Sequence, residues 1–312
     1  MAGAATDLMA EASRWTRRVV STLPCLDWTS LEHGIRPWII LDGARSDTLE
    51  SDVLRITRAF EHRWVWRDTP REYRNPGYRD GPLLVPLDEA LFTHALDHWF
   101  RQQTGIILLA SDDHDTLVAH LQRLHQLTGS DGLPISFNLN GARALEEFCE
   151  GLNAHALSRL FGPIQRFIWY AGNPHQGEWL VADSPVSGQA MPALDAPLAL
   201  TKADEISLDH ASLAWFMRDC VRSVRQQTPA YNDPKNDPAL WRHADLFVRE
   251  AADQLALTLE RDVRRYVDLR FRYPQAAFST DNALREMLTS RHISGKQRLV
   301  DAEARLSTLV TR

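Results

Sequence analysis

Two histidines one helical turn apart are the first residues whose spacing could do chemistry. His94-Ala-Leu-Asp-His98 puts imidazoles at i and i+4 on one face of a helix expected to begin at Asp88, a spacing that can bind zinc. The metalloprotease pattern also sets a glutamate directly after the first histidine as general base, and here that position is Ala95. No third ligand stands at a recognisable distance. Asp112-Asp113-His114-Asp115 is rich in ligand types, but it lies where a strand is expected to meet a helix. Acids there cap free amides and oppose the helix dipole. The cluster also lacks the alternation, central glycine and closing glutamate of a calcium loop.

Other catalytic signatures are missing. There is no Gly-x-Ser-x-Gly elbow, and no phosphate-binding glycine loop follows an expected strand. Glu146 and Glu147 are neighbours on a helix and point apart, which speaks against joint acid–base work. Cys25, Cys149 and Cys220 sit in no nucleophile motif, and Cys220 falls on an apolar helical stripe that predicts burial. No catalytic residue, cofactor or metal is therefore expected. The competing reading is a metal-dependent hydrolase built on His94 and His98.

The elements that would position any site are those of an ordinary globular chain. It has 312 residues, is 44% hydrophobic and 24% charged, and carries a net charge of −6. Lysine and arginine are spread along the sequence, so no nucleic-acid footprint is visible. Three distant cysteines fit reduced thiols in the cytoplasm rather than a disulfide framework. The first residues include acids and no apolar core, so no secretory signal is expected. The apolar runs at 38–41 and 106–110 are too short to span a bilayer, and no membrane partner is expected. Ten tryptophans supply core volume and candidate interface anchors.

Strands are expected at 37–42, 64–66, 81–86, 105–110, 133–138, 164–170 and 178–182, the last two joined by a hairpin at Asn173-Pro174. Helices are expected from Leu49 to Phe60, Asp88 to Gln103, Ser111 to Leu127 and Ala142 to Ala156. Continuous apolar strands alternating with helices predict an α/β lobe with a mixed sheet flanked by helices, over 36–183. A helical arm occupies 1–35 and a Pro/Ala/Ser-rich linker 184–203. An all-helical lobe follows over 204–312, with a helix from Leu208 to Gln227 and a long helix from Asp237 past Leu259 that continues through Arg261 to Arg272.

Several of these pieces share an order with a known family. Leu41-Asp42-Gly43-Ala44-Arg45 follows a buried strand and precedes an aromatic stretch. Then come Asp80-Gly81-Pro82-Leu83-Leu84-Val85-Pro86, Gly105 to Ser111, Asp131-Gly132, and Phe161-Gly162-Pro163-Ile164 before an aromatic strand. In this order they resemble the effector-adaptor family of bacterial type VI secretion systems, across about residues 37–182 with a helical tail after. Where that family shows Arg-aromatic-aromatic-Asp-Pro-Arg, this chain has Ser136-Phe-Asn-Leu-Asn-Gly-Ala-Arg143. The resemblance implies a non-catalytic chaperone that binds a toxin effector and helps load it on the secretion spike protein. It marks Asp42, Gly43, Arg45, Gly81, Pro82, Gly162 and Pro163 as structural family residues. Trp64, Trp66, Tyr73, Tyr78 and Arg79 are the first choice for a partner-binding surface, with core packing of Trp64 and Trp66 as the alternative. An immunity protein that neutralises a toxin is a third reading.

Overall fold

The chain is described from a computed structural model that covers residues 14–24, 35–73, 77–111, 113–137, 139, 141–172, 177–186 and 192–310. Most of the expected N-terminal arm, Cys25, Asp112, Asn138, Asn140 and the Asn173-Pro174 turn lie outside those residues. Two compact units emerge: Arg17–Ala211, and Ser212–Arg312 with Met1–Thr16.

The first unit is α/β. Its main sheet takes β1 (Ser21–Leu23), β2 (Ile35–Asp42), β3 (Arg63–Trp64), β4 (Pro82–Pro86), β5 (Gly105–Ser111), β8 (Ile164–Ala171) and β9 (Glu178–Asp183). Their order is β1-β9-β8-β5-β2-β4-β3. Every pairing is antiparallel, so the sheet is not mixed as the apolar runs suggested. A continuous apolar strand reports burial on both faces, whatever the direction of its neighbour.

Both faces are indeed covered. Trp38, Ile40, Ile106, Leu108, Phe167 and Trp169 pack on one side under α3 (His114–Leu124), α4 (Ala142–Gly151) and α5 (Ala154–Phe161). Ile39, Leu41, Ile107, Leu109 and Ile168 alternate to the other side, under α1 (Leu49–Thr57) and α2 (Glu89–His98). The result is a sheet between two helical layers.

Local chemistry sets the helix ends. Asp88 caps α2 by accepting from the Leu91 N–H at 2.7 Å. That helix stops at His98 rather than Gln103, because Trp99 and Phe100 turn into the core and Gln103 takes a left-handed conformation at φ 54°. Asp113 caps α3 through the Thr116 N–H at 3.1 Å, as its place in the acidic cluster predicted. The helix expected to run to Leu127 ends at Leu124, and β6 (Gln126–Thr128) pairs instead with β7 (Pro134–Ser136). A single helix expected over 142–156 is two, since Asn153 caps α5 by accepting from the His155 and Ala156 amides at 3.0 Å. Part of the expected linker is packed: Leu198 and Leu200 are buried in the core, and the backbone there exchanges hydrogen bonds with Thr128 at 2.9 and 2.8 Å.

The second unit is all helical. It holds most of α6 (Lys202–Gln227), with α7 (Asp237–Arg249), α8 (Glu260–Arg272), α9 (Gln275–Thr280), α10 (Asn282–Thr289) and α11 (Gly295–Val310). Cys220 is buried on the stripe that predicted it. The long helix expected past Leu259 ends in a π turn at Glu250–Gln254, after which Ala256 is left-handed at φ 50°. Arg270 ties this turn down. Its guanidinium pairs with Glu250, donates to the Tyr266 hydroxyl at 2.7 Å, and lies 4.3 Å over Phe247 and 4.7 Å over Phe278.

One buried polar group in the α/β unit has a readable cost. His120 is fully buried; its Nδ1 accepts from the Leu194 N–H at 3.2 Å, so Nε2 carries the proton donated to the Leu160 carbonyl at 2.9 Å. Gly162, at φ +52°, lies so close that a Cβ there would be 2.3 Å from the imidazole. Burial lowers the His120 pKa to about 4. The folded state therefore holds it neutral while the unfolded chain takes up a proton first, and stability present above about pH 6.5 drains away towards pH 4, by at most about 3 kcal/mol. We expect His120→Gln, which keeps a donor and an acceptor, to flatten this part of the stability–pH curve measured by urea unfolding. An unchanged slope would remove His120 as its source.

Candidate functional site

The motif residues Asp42, Gly43, Arg45, Gly81 and Pro82 come together at the ends of β2 and β4. Asp42 and Pro82 are opposite in register. The Asp42 carboxylate accepts from the Ala44 N–H and from Arg45 Nε, each at 3.2 Å, closing the turn after β2. Arg45 Nη1 donates to the Gln102 carbonyl at 3.1 Å, and the Asp42 N–H donates to the Thr104 carbonyl at 2.9 Å. Those two bonds tie the turn to the start of β5.

Two glycines then touch. The Gly43 N–H donates to the Gly81 carbonyl at 3.1 Å. A Cβ on Gly43 would stand 2.0 Å from the Arg79 carbonyl oxygen and 2.8 Å from the Trp64 ring. A Cβ on Gly81 would stand 2.4 Å from the Trp66 indole. Each glycine thus vacates the space that a tryptophan needs.

The two tryptophans of the expected partner surface lie inward. Trp64 and Trp66 are 7% and 8% exposed, so both face the core, the alternative reading of these two residues. Trp64 Nε1 donates to Glu50 Oε1 at 3.3 Å, and the same carboxylate meets His62 Nε2 at 3.2 Å and Arg79 Nη2 at 3.5 Å. Trp66 lies 4.9 Å from His125, with the Arg71 guanidinium 4.5 Å over the Trp66 ring. A second stack of the same kind joins Arg36, Trp38 and His114, at 5.0 and 5.1 Å. Burial, then the charge of Arg71, lowers the His125 pKa to about 4.

What remains outward is smaller. Tyr73 is 90% exposed. Arg79 is exposed, and the half-buried Tyr78 meets Trp64 edge to face at 6.0 Å. Arg67 and Arg79 lie 5.9 and 5.8 Å from the Tyr78 ring. Arg63 and Arg67 are exposed as well. The segment therefore presents tyrosine and guanidinium groups from a root that the two tryptophans hold.

Gly162 and Pro163 are not part of this cluster. They sit at the start of β8, where Gly162 makes room for His120.

The histidine pair assembles only halfway. The His94 and His98 rings are 4.4 Å apart, and His94 also meets Trp99 at 4.8 Å. Burial and the neighbouring His98 lower the His94 pKa. Among the described residues no group of three or more His, Cys, Asp or Glu side chains is placed to hold a metal ion. No helix among them is long and apolar enough to cross a membrane.

Sequence reasoning missed the acids that pin the N-terminal strand. Glu146 accepts from Arg17 Nε at 3.1 Å, and Arg17 also reaches Glu178 at 2.6 Å. Glu150 accepts from the backbone N–H groups of Arg18, Val19 and Val20. Their i and i+4 spacing on α4 was the available signal.

Residues 37–159 match the family model described as "Domain of unknown function (DUF4123)". The match runs from β2 through nearly all of α5 and includes the paired glycines. No curated protein and no solved structure matches the chain.

The paired glycines make a sharp test. Gly81→Ala should destabilise the α/β unit by about 1–3 kcal/mol through overpacking against Trp66. Tyr73→Ala should stay within about 0.5 kcal/mol of the parent. Urea midpoints of the two variants compare them directly, and a tolerated Gly81→Ala would show that the indole can move aside.

Proposed function

We propose that this chain is a non-catalytic adaptor that binds a toxin effector in the cytoplasm and helps load it on a secretion spike protein. The observation that carries the reading is the exposed arginine–tyrosine segment around Tyr73, Tyr78 and Arg79, rooted on the Trp64–Glu50 and Trp66–Gly81 contacts. Exposed aromatic and arginine side chains on a rigid base are suited to anchoring a partner, because little conformational freedom is lost when they are covered. The family match over 37–159 and the ordered resemblance to type VI effector adaptors support the same reading.

The working test reads the genes neighbouring this chain's and coexpresses the chain with the toxin found there. The two should elute together, and the toxin should lose solubility when expressed alone. Replacing Tyr73 and Arg79 together by alanine should weaken the complex at least about tenfold without shifting the unfolding midpoint. A toxin that is soluble and never retained by the parent chain would end the proposal.

The hydrolase reading keeps one observation, the His94–His98 ring pair. Stoichiometric zinc in the purified protein, lost in His94→Ala, would favour it. An immunity protein would instead protect a susceptible cell without any secretion machinery.

A further inference from the structure

A cleft of about 220 Å³ opens where β2 begins and β4 ends, between the C-terminal end of α1 and the N-terminus of α2. It is smaller than the roughly 300–1,000 Å³ of pockets that hold drug-sized ligands, and several times the roughly 30 Å³ of one water. A single long side chain fits that size. Ala59, Val85, Pro86 and Leu87 give it apolar walls.

Its polar groups lean to one sign. Glu61 and Asp88 bring two carboxylates, against the one guanidinium of Arg36. Arg36 pairs with Glu61 at 2.9 Å, but this pair is exposed and therefore weak and exchangeable. Arg36 is also held 5.0 Å from the Trp38 ring. Asp88 uses Oδ1 to cap α2, and its other oxygen has no partner among the described residues. His62 lines the cleft too, with its Nε2 3.2 Å from Glu50 and its buried Nδ1 without a hydrogen-bond partner among the described residues. Phe60, in the chain between the lining residues Ala59 and Glu61, is 77% exposed. Apolar walls and two carboxylates against one guanidinium are the complement of an aliphatic stem that ends in a cation.

We infer that this cleft receives an arginine side chain of the bound partner protein, an inference that rests on the reading of the chain as a partner-binding protein. The stem lies along Val85, Pro86 and Leu87, and the guanidinium reaches Asp88 and competes with Arg36 for Glu61. The cleft is distinct from the Tyr73–Arg79 segment and supplies the opposite charge. Cationic groups of this chain and cationic groups of the partner thereby have separate places on the α/β unit.

The test uses the full chain labelled with 15N and two probes, N-acetyl-arginine methylamide and its uncharged isostere N-acetyl-citrulline methylamide. The arginine probe should shift the amide resonances of Ala59, Glu61, His62, Leu87 and Asp88 in a saturable way, and the citrulline probe should not. Glu61→Gln with Asp88→Asn should weaken arginine binding at least about tenfold, while asparagine still caps α2. Ala59→Leu, which narrows the cleft from its wall, should weaken it as well. Absence of saturable shifts at these residues, an equal response to citrulline, or full binding by the double variant would overturn the inference. The adaptor reading fails separately, if the toxin does not copurify with the parent chain.

Discussion

A backbone-to-backbone contact between Gly43 and Gly81 sets the geometry at the β3–β4 edge of the sheet. The 3.1 Å bond between them closes the ends of β2 and β4 at a spacing no side chain could share. Once the backbones are that close, Trp64 fills the space beside one glycine and Trp66 the space beside the other. The aromatic segment after α1 is thereby pressed inward at two points. Arg63, Arg67, Arg79 and Tyr73 are left on the outside. Overpacking at either glycine acts on all of this at once, since the neighbours are backbone and ring atoms with little room to relax.

Polar interiors elsewhere follow a related economy. His120 satisfies both ring nitrogens from backbone groups that lie 40 and 74 residues away in sequence. Glu150 accepts three consecutive amides of the chain entering β1, and Arg270 threads an aromatic box beside the π turn. Each converts a buried ionisable or polar group into a tie between distant segments, because leaving it unbonded would cost more than aligning it.

The legible part of this fold was what local sequence encodes. Apolar runs bounded by glycine and proline placed most of the strands but not β1 or β6, and Asp88 and Asp113 marked helix starts that their side chains do cap. Strand direction was not legible, since the Trp38–Leu41 run says that both faces are covered and nothing about its neighbours' polarity. The orientation of Trp64 and Trp66 depended on Gly43 and Gly81, whose proximity only folding creates. Glu50 gave no signal at all, as its three partners arrive from two later segments of the chain. The end of α7 was hidden for another reason: a π turn needs a partner such as Arg270, twenty residues on, to hold it.

Between the two glycines the chain travels from residue 43 to residue 81 and returns to the same point. The entropy of closing such an excursion grows only with the logarithm of its length. Residues could be added or removed in the outward part, around Tyr73, with little effect on the sheet, provided both glycines still meet. The contact therefore works as a clasp at the base of this excursion, so that changes in its outward part leave the same fixed root.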